Sequence, residues 1–135
     1  LIKLLNYLIT RPSVSIPQRK IITSIGLVRL DSLHKKDVGI QPYFVSVGWD
    51  GWLKVWNLNY SIRFSFKAHE NNINAVAVSP LYGNLIATGG KDKKLYVWDI
   101  TDFRKPKYEY EAGSTINSVS IFFIFYNLHF HLKIK

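Results

Sequence analysis

Two stretches of the sequence, YFVSVGWDGWLKVWN (residues 43–57) and LIATGGKDKKLYVWD (residues 85–99), decide the fold because they are copies of each other. They align without a gap at an offset of 42 residues. A hydroxyl, a carboxylate and an indole recur at that offset. The matched pairs are Ser46 and Thr88, Gly48 and Gly90, Asp50 and Asp92, Leu53 and Leu95, Val55 and Val97, Trp56 and Trp98, and Asn57 and Asp99. Such a repeat indicates one structural unit that is used more than once.

A second set of matches follows the same spacing. Ile73–Val78 resembles Ile116–Ile121 at an offset of 43 residues, and a fainter copy lies at Ile22–Leu27. A period in the low forties is typical of propeller blades, each of about 40–45 residues with four strands. The sequence therefore predicts an all-β fold, a partial β-propeller with two full blades and parts of two more.

Short runs of β-branched and aromatic residues, each bounded by Gly, Asn, Asp or Pro, supply the strands of these blades. The repeats show no helical periodicity. Gly48–Gly51 and Gly89–Lys93 have the composition of tight turns, because Gly tolerates positive φ and Asp bonds its own backbone. The predicted strands are Tyr43–Val47, Leu53–Trp56, Ile62–Phe66, Ile73–Val78, Leu85–Thr88 and Leu95–Trp98.

The endings Val97-Trp98-Asp99 and Val55-Trp56-Asn57 resemble the signature of the WD-repeat (WD40) family, and Ala68-His69 stands where that family usually has Gly-His. The resemblance implies that a hydrogen-bonded tetrad pins each blade, since buried indole, hydroxyl, imidazole and carboxylate groups must satisfy one another. Carried over position by position, the structural tetrad of the later blade is His69, Thr88, Asp92 and Trp98. The earlier blade supplies Ser46, Asp50 and Trp56, without a matching histidine.

The same hydroxyl, imidazole and carboxylate are also the parts of a nucleophile–base–acid triad. However, the hydroxyl and the carboxylate recur at Ser46 and Asp50, and catalytic groups do not normally recur in every blade. We therefore expect the cluster to be structural and the protein not to be an enzyme. No cofactor, no metal site and no small-molecule substrate is expected.

Three segments, residues 44–51, 87–93 and 112–117, are similar to the family of the receptor for activated C kinase, a seven-bladed WD scaffold. The resemblance covers about residues 43–121 and points to middle blades of that propeller. It implies docking on the small ribosomal subunit through ribosomal RNA and proteins, binding of signalling proteins such as protein kinase C, modulation of translation, and a cytoplasmic location. An unrelated WD adaptor, such as a G-protein-β-like or ubiquitin-ligase subunit, is the alternative.

Candidate partner-binding residues lie at the two tight turns. Trp49 and Lys91 each precede the turn Asp of their blade, a position that faces the partner-binding surface in WD proteins, and Trp52, Lys93 and Lys94 adjoin the same turns. An exposed Trp is a frequent hot spot, but packing on a neighbouring blade would equally explain these indoles. A basic group fits either a solvated face or contact with phosphate or an acidic protein tail. It comprises Lys91, Lys93, Lys94, Arg104, Lys105 and Lys107.

The formal net charge is +9, and most of the excess lies in residues 1–36. A net positive charge is typical of proteins that bind nucleic acids or acidic proteins. It is explained equally well by lysine and arginine side chains that only keep the chain soluble. The chain has no cysteine, which agrees with a reducing compartment. No apolar run approaches the ~20 residues that a membrane-spanning helix needs.

Matching to the repeat divides the chain into five segments. Residues 1–20 match no repeat and are expected to be a non-native flank. Residues 21–67 are expected to form a blade with a long inner loop, residues 68–110 a second blade, and residues 111–121 the start of a third; residues 122–135 are an atypical apolar tail. The chain begins at Leu1 and contains no methionine, so we expect a piece of a longer, seven-bladed protein.

Overall fold

The computed structural model describes residues 22–28, 43–79, 84–124 and 127–134; the flank 1–20 and the inner loop 29–42 lie outside these residues. The described part of the chain contains strands and no helix. The ten strands are β1 (Ile22–Val28), β2 (Tyr43–Gly48), β3 (Trp52–Asn57), β4 (Ile62–Lys67), β5 (Ile73–Val78), β6 (Leu85–Gly90), β7 (Lys94–Asp99), β8 (Tyr108–Glu111), β9 (Ile116–Ile124) and β10 (Asn127–Ile134).

The strands form three antiparallel sheets, each in chain order. The first sheet is β1-β2-β3-β4, the second is β5-β6-β7-β8, and the third is the pair β9-β10. The six strands predicted from sequence lie within β2 to β7, and the predicted and observed ends differ by at most two residues. The prediction of an all-β, partial propeller is confirmed: two four-stranded blades are followed by a two-stranded third blade.

The third sheet extends further along the chain than the repeat pattern indicated. Strand β9 runs without a break through the position where the start of a blade was expected to give way to an apolar tail. Residues 127–134 of that tail form β10, in which Leu128, Phe130 and Leu132 alternate with polar residues and pack against the neighbouring core. The sequence lacks a Gly or Pro turn before β10, which is why the strand was not foreseen.

Two hydrophobic cores lie between the sheets, and strand β5 contributes to both. Val76 belongs to the core between the first and second sheets, whereas Ala75 belongs to the core between the second and third. Successive side chains of a strand point to opposite faces, so one strand serves two interfaces. Because each core is built from two blades, no blade buries its apolar face alone.

The innermost strands β1, β5 and β9 share a β-bulge at their second residue. The pairing skips Thr23 in β1, Asn74 in β5 and Asn117 in β9. A bulge leaves one residue out of the ladder and re-aims its side chain. The Thr23 hydroxyl donates to the Ile73 carbonyl of the second blade, and Asn74 Nδ2 donates to the Ile116 carbonyl of the third at 3.1 Å. The bulges at Thr23 and Asn74 therefore each hydrogen-bond one blade to the next.

Close stacking of the blades depends on Gly89 in β6. A Cβ added to Gly89 would collide with the Ile116 side chain and lie 2.8 Å from Val119 Cγ2, both on the third blade. Gly113, in contrast, has nothing within 4 Å of such a Cβ.

We expect Gly89→Ala to lower the free energy of unfolding by about 1–3 kcal/mol, the usual cost of overpacking a tight core. Gly113→Ala is the matched control and should change it by less than about 1 kcal/mol. Urea unfolding of the chain, followed by intrinsic fluorescence, measures both. Equal effects of the two substitutions would contradict the stacking geometry.

Candidate functional site

The linker from Ala68 to Asn72 connects the two complete blades and holds a tight turn of each. The Gly51 carbonyl, in the β2–β3 turn, accepts hydrogen bonds from the backbone N–H groups of Ala68 at 2.9 Å and His69 at 3.1 Å. The Lys91 N–H, in the β6–β7 turn, donates to the Asn72 carbonyl at 2.8 Å. Both turns therefore lie at the same edge of the structure, which we call the turn edge.

The two turns have the same backbone geometry although their sequences differ. Gly51 has a φ of 77° and Lys93, its equivalent, a φ of 68°. A left-handed conformation is costly for lysine and easy for glycine. Asp92 Oδ1 accepts the Lys94 N–H at 3.2 Å, and Asp50 Oδ1 accepts the Trp52 N–H at 3.1 Å. The turn carboxylates thus hold Trp49 and Lys91 in equivalent positions.

The structure brings the four tetrad residues of the second blade together. His69 Nδ1 lies 2.8 Å from Asp92 Oδ2, and His69 Nε2 lies 2.8 Å from Thr88 Oγ1. Trp98 Nε1 donates to Thr88 Oγ1 at 2.9 Å. His69 and Thr88 are 2% and 0% exposed, so the network is buried. The tetrad joins the linker, the β6–β7 turn, β6 and β7.

A neutral His69 matches the donors and acceptors of the tetrad. With Nδ1–H donating to Asp92, Nε2 of a neutral His69 accepts the Thr88 hydroxyl proton, and the Thr88 oxygen accepts from Trp98. The pKa of His69 lies below its usual value because burial penalises the imidazolium, although the Asp92 carboxylate opposes part of this shift. Geometry and electrostatics therefore favour the same protonation state.

The first blade has a reduced version of this network. Trp56 Nε1 donates to Ser46 Oγ at 2.9 Å, as Trp98 does to Thr88, and both residues are buried. Asp50 caps its own turn instead of binding an imidazole among the described residues. The residues that precede β1, where a histidine would stand by repeat position, lie outside the described residues.

The candidate partner-binding residues all lie at the turn edge. Trp49 is 51% exposed and Trp52 is 36% exposed, and Lys91 and Lys93 are exposed as well. Lys94 is partly covered and forms an ion pair with Glu109 at 2.6 Å. The structure therefore favours surface indoles over the alternative of indoles packed on a neighbouring blade.

The basic group predicted from sequence is divided between the two ends of β7. Lys91, Lys93 and Lys94 lie at the turn edge, whereas Arg104, Lys105 and Lys107 follow the other end of the strand, roughly 20 Å away for six residues. Arg104 pairs with Asp102 at 2.8 Å and Lys107 with Asp99 at 3.5 Å. One continuous basic surface is therefore ruled out, because an extended strand separates residues that are close in sequence.

Sequence reasoning missed the aromatic contact between the outer parts of the two blades. Phe103, in the β7–β8 connection, stacks on Phe64 and Phe66 of β4 with ring centroids 4.5 Å and 5.4 Å apart. Trp98 meets the edge of Phe66 at 4.8 Å. The bulge residues Thr23 and Asn74 were missed too, although the Ile-polar pair that opens each inner strand is a usable signal.

Comparison with known proteins agrees with this architecture. The family model described as "WD domain, G-beta repeat" matches residues 60–99. The match begins just before β4 and ends with β7, so the sequence repeat combines the outer strand of one blade with three strands of the next. Among the described residues, no helix is long and apolar enough to span a bilayer, and no group of three metal-binding side chains is present.

Curated relatives share between 40% and 46% identity with the chain. "Small ribosomal subunit protein RACK1y" of rice is 46% identical over 79 residues, covering 58% of this chain and 23% of the relative. "Small ribosomal subunit protein RACK1" of Drosophila melanogaster is 42% identical over 96 residues, covering 70% and 28%. "Cross-pathway control WD-repeat protein 2" of Flammulina velutipes is 40% identical over 79 residues, covering 58% and 24%.

The two four-stranded blades and the family match together define the fold as a partial WD-repeat β-propeller. Within that class, the relatives confirm the resemblance to the receptor for activated C kinase, the protein abbreviated RACK1 in their names. The chain spans about a quarter of the length of the relatives it matches.

The lowered pKa of His69 predicts a specific pH dependence of stability. As the pH falls below about 6.5, the unfolded chain takes up a proton at His69 while the folded chain does not, so the free energy of unfolding falls until the pH reaches the lowered folded-state pKa. Urea unfolding between pH 5 and pH 8 should show less of this loss in His69→Gln, which has no proton to take up. His131→Gln, at an exposed site, is the control and should keep the wild-type profile. A wild-type profile in His69→Gln as well would contradict the neutral tetrad.

Proposed function

We propose that the chain is part of a non-catalytic scaffold that docks on the small ribosomal subunit and presents the turn edge to signalling proteins. The observation that supports it most is the exposure of Trp49 and Lys91 at equivalent positions of two rigid turns. The names of two relatives place those proteins on the small ribosomal subunit. A cytoplasmic location and an effect on translation are part of the same proposal.

The tetrad supports a structural role over a catalytic one. Both ring nitrogens of His69 are engaged, and Thr88 is fully buried, so a substrate could not reach the hydroxyl without unfolding the blade. A hydrolytic reaction would need water next to the general base, and the burial of His69 keeps water away from it. The hydrogen bonds instead fix the turn that carries Lys91 and Lys93.

Binding at the turn edge requires no change of the blade itself. The linker holds both turns by backbone hydrogen bonds, so Trp49 and Lys91 are presented in fixed positions. An indole supplies a large contact area at a low cost in conformational entropy, and a lysine selects an acidic neighbour. The proposed type of partner is a signalling protein such as protein kinase C, and this surface would suit an acidic and apolar patch.

Docking on the ribosome is tested by sedimentation of the purified chain with purified small ribosomal subunits through a sucrose cushion. We expect the chain to appear in the pellet with the small subunit and not with the large subunit. Because a basic protein also binds RNA through counterion release, the complex should persist at 200 mM salt. Loss of binding at that salt concentration, or equal binding to both subunits, would favour the unrelated WD adaptor.

Binding at the turn edge is tested separately with the variant Trp49→Ala. We expect affinity for purified protein kinase C to fall at least about tenfold, the size of a hot-spot loss, with urea stability changed by less than about 0.5 kcal/mol. Leu58→Ala is the matched control, because Leu58 is also an exposed large apolar residue but follows the opposite end of β3. Equal losses in the two variants would exclude the turn edge as the binding surface.

A further inference from the structure

Strand β4 presents a serine between two basic residues. Phe64 and Phe66 of β4 pack against the core shared with the second blade. Side chains alternate along a strand, so Ser65 points away from the second blade. Ser65, Arg63 and Lys67 are all exposed. The Ser65 hydroxyl therefore lies at the surface, with one cation two residues before it and another two residues after it.

The strand next to Ser65 adds a third basic residue. Lys54 of β3 is the direct cross-strand partner of Ser65. Directly opposite residues of an antiparallel pair have Cβ atoms about 4.5–5.5 Å apart and interact. None of the four strands β1 to β4 contains an acidic residue. The strands of this blade therefore surround the serine with positive charge and supply no carboxylate to oppose it.

The second blade shows that this position stays exposed when a neighbouring blade is present. Glu109 of β8 pairs with Tyr96 as Ser65 pairs with Lys54, and the two partners are separated by the repeat offset of 42 residues. Tyr96, on the same face as Glu109, packs against the core shared with the first blade. The Glu109 side chain is nevertheless 48% exposed. Exposure is therefore a property of this position within a blade, even where the preceding blade is in place.

The same comparison shows what a negative charge at this position does. Glu109 forms an ion pair with Lys94 across β7 and β8 at 2.6 Å. A phosphoserine carries a charge of about −1.5 to −2 at pH 7 and three strong acceptor oxygens. A phosphate on Ser65 would lie beside Arg63 and Lys67 and opposite Lys54, so the first blade would gain ion pairs of the kind that Glu109 forms.

The outer strand also gives an enzyme access to Ser65. Among the described strands, β4 ends the first sheet and β8 ends the second, so each has one strand neighbour. An open outer edge is therefore common to both complete blades. A strand with one free edge and an outward hydroxyl suits an enzyme that binds its substrate in extended form.

Ser61 provides a contrast within the same segment. It is exposed and stands two residues before Arg63, but the residue two positions before it is Asn59, which is uncharged. Its hydroxyl donates to Asn59 Oδ1 at 2.6 Å and accepts from Asn57 Nδ2 at 2.9 Å. The Ser61 hydroxyl is therefore held within its own turn and has a basic residue on one side only.

We propose that Ser65 is a phosphorylation site for a serine kinase with an acidic substrate cleft, which selects basic segments. Charge complementarity between substrate and cleft is a general source of specificity. Ser65 Oγ attacks the γ-phosphorus of ATP bound to the kinase, and the bond from that phosphorus to the bridging oxygen of ADP breaks. The hydroxyl proton passes to the catalytic aspartate of the kinase, and ADP leaves.

The product would carry its phosphate close to the turn edge. Lys67 Nζ donates to the Asp50 carbonyl of the β2–β3 turn at 3.0 Å. A phosphate on Ser65 competes for that ammonium group, because a charge-assisted hydrogen bond is stronger than one to a neutral carbonyl. The modification would thus act on the turn that presents Trp49, whether or not the chain docks on the ribosome.

The test is incubation of the full chain with Mg-ATP and the isolated catalytic domain of protein kinase C, a kinase that selects basic segments. Site-resolved mass spectrometry follows Ser65 and Ser61 in the same reaction. We expect Ser65 to be phosphorylated at least about tenfold faster than Ser61, and at least about tenfold faster than by casein kinase II, which selects acidic segments. Equal rates at the two serines, or a faster reaction with casein kinase II, would overturn the proposal.

Two double variants test the role of the flanking cations. Arg63→Gln with Lys67→Gln should slow phosphorylation of Ser65 at least about fivefold. Arg104→Gln with Lys105→Gln is the matched control, because it removes the same two residue types from exposed positions after β7. Near-ultraviolet circular dichroism verifies that each variant retains its fold. Equal slowing by the two double variants would contradict recognition through Arg63 and Lys67.

A third variant separates this proposal from partner binding at the turn edge. Trp49→Ala should leave the rate at Ser65 within about twofold of the wild-type rate, because the catalytic domain recognises the residues beside the serine. Loss of phosphorylation in Trp49→Ala would show that the turn edge recruits the kinase and that the cations beside Ser65 are not sufficient, which would overturn the proposal.

Discussion

The Thr88 hydroxyl accepts the indole N–H of Trp98 and bonds the imidazole of His69, whose other nitrogen bonds Asp92. These few bonds connect β6, β7, the β6–β7 turn and the linker from the first blade. The backbone N–H groups of Ala68 and His69 in this linker donate to the Gly51 carbonyl of the neighbouring turn. The turn edge, and with it the proposed binding surface, therefore depends on a buried network in which burial of His69 favours the neutral imidazole.

A second constraint is that no blade buries its apolar face without a neighbour. The bulges at Thr23 and Asn74 each leave one residue out of the strand pairing. The side chain of that residue forms a hydrogen bond to the next blade instead. Gly89 keeps two backbones close enough for Ile116 and Val119 to fill the gap. Stacking is therefore specific and not merely hydrophobic, because both polar and steric features must match at each interface.

The turn edge presents side chains of two kinds. Trp49 and Lys91 are exposed at equivalent positions of the two tight turns. Side chains presented by a fixed backbone suit the folded partner that we propose for this surface.

The amino-acid sequence by itself determined the repeat and six of the ten strands of the described residues, because these follow from alternation and from groups that recur at one offset. The resemblance to the WD family indicated which residues form the tetrad. It did not show that β10 pairs with β9, since no turn residues mark that hairpin. Only the tertiary structure decided that Lys93 and Lys107 lie at opposite ends of β7, that Phe103 covers Phe64, and that Tyr108 remains exposed. These facts depend on how neighbouring blades stack, and contacts between blades join residues whose separation in sequence carries no periodic signal.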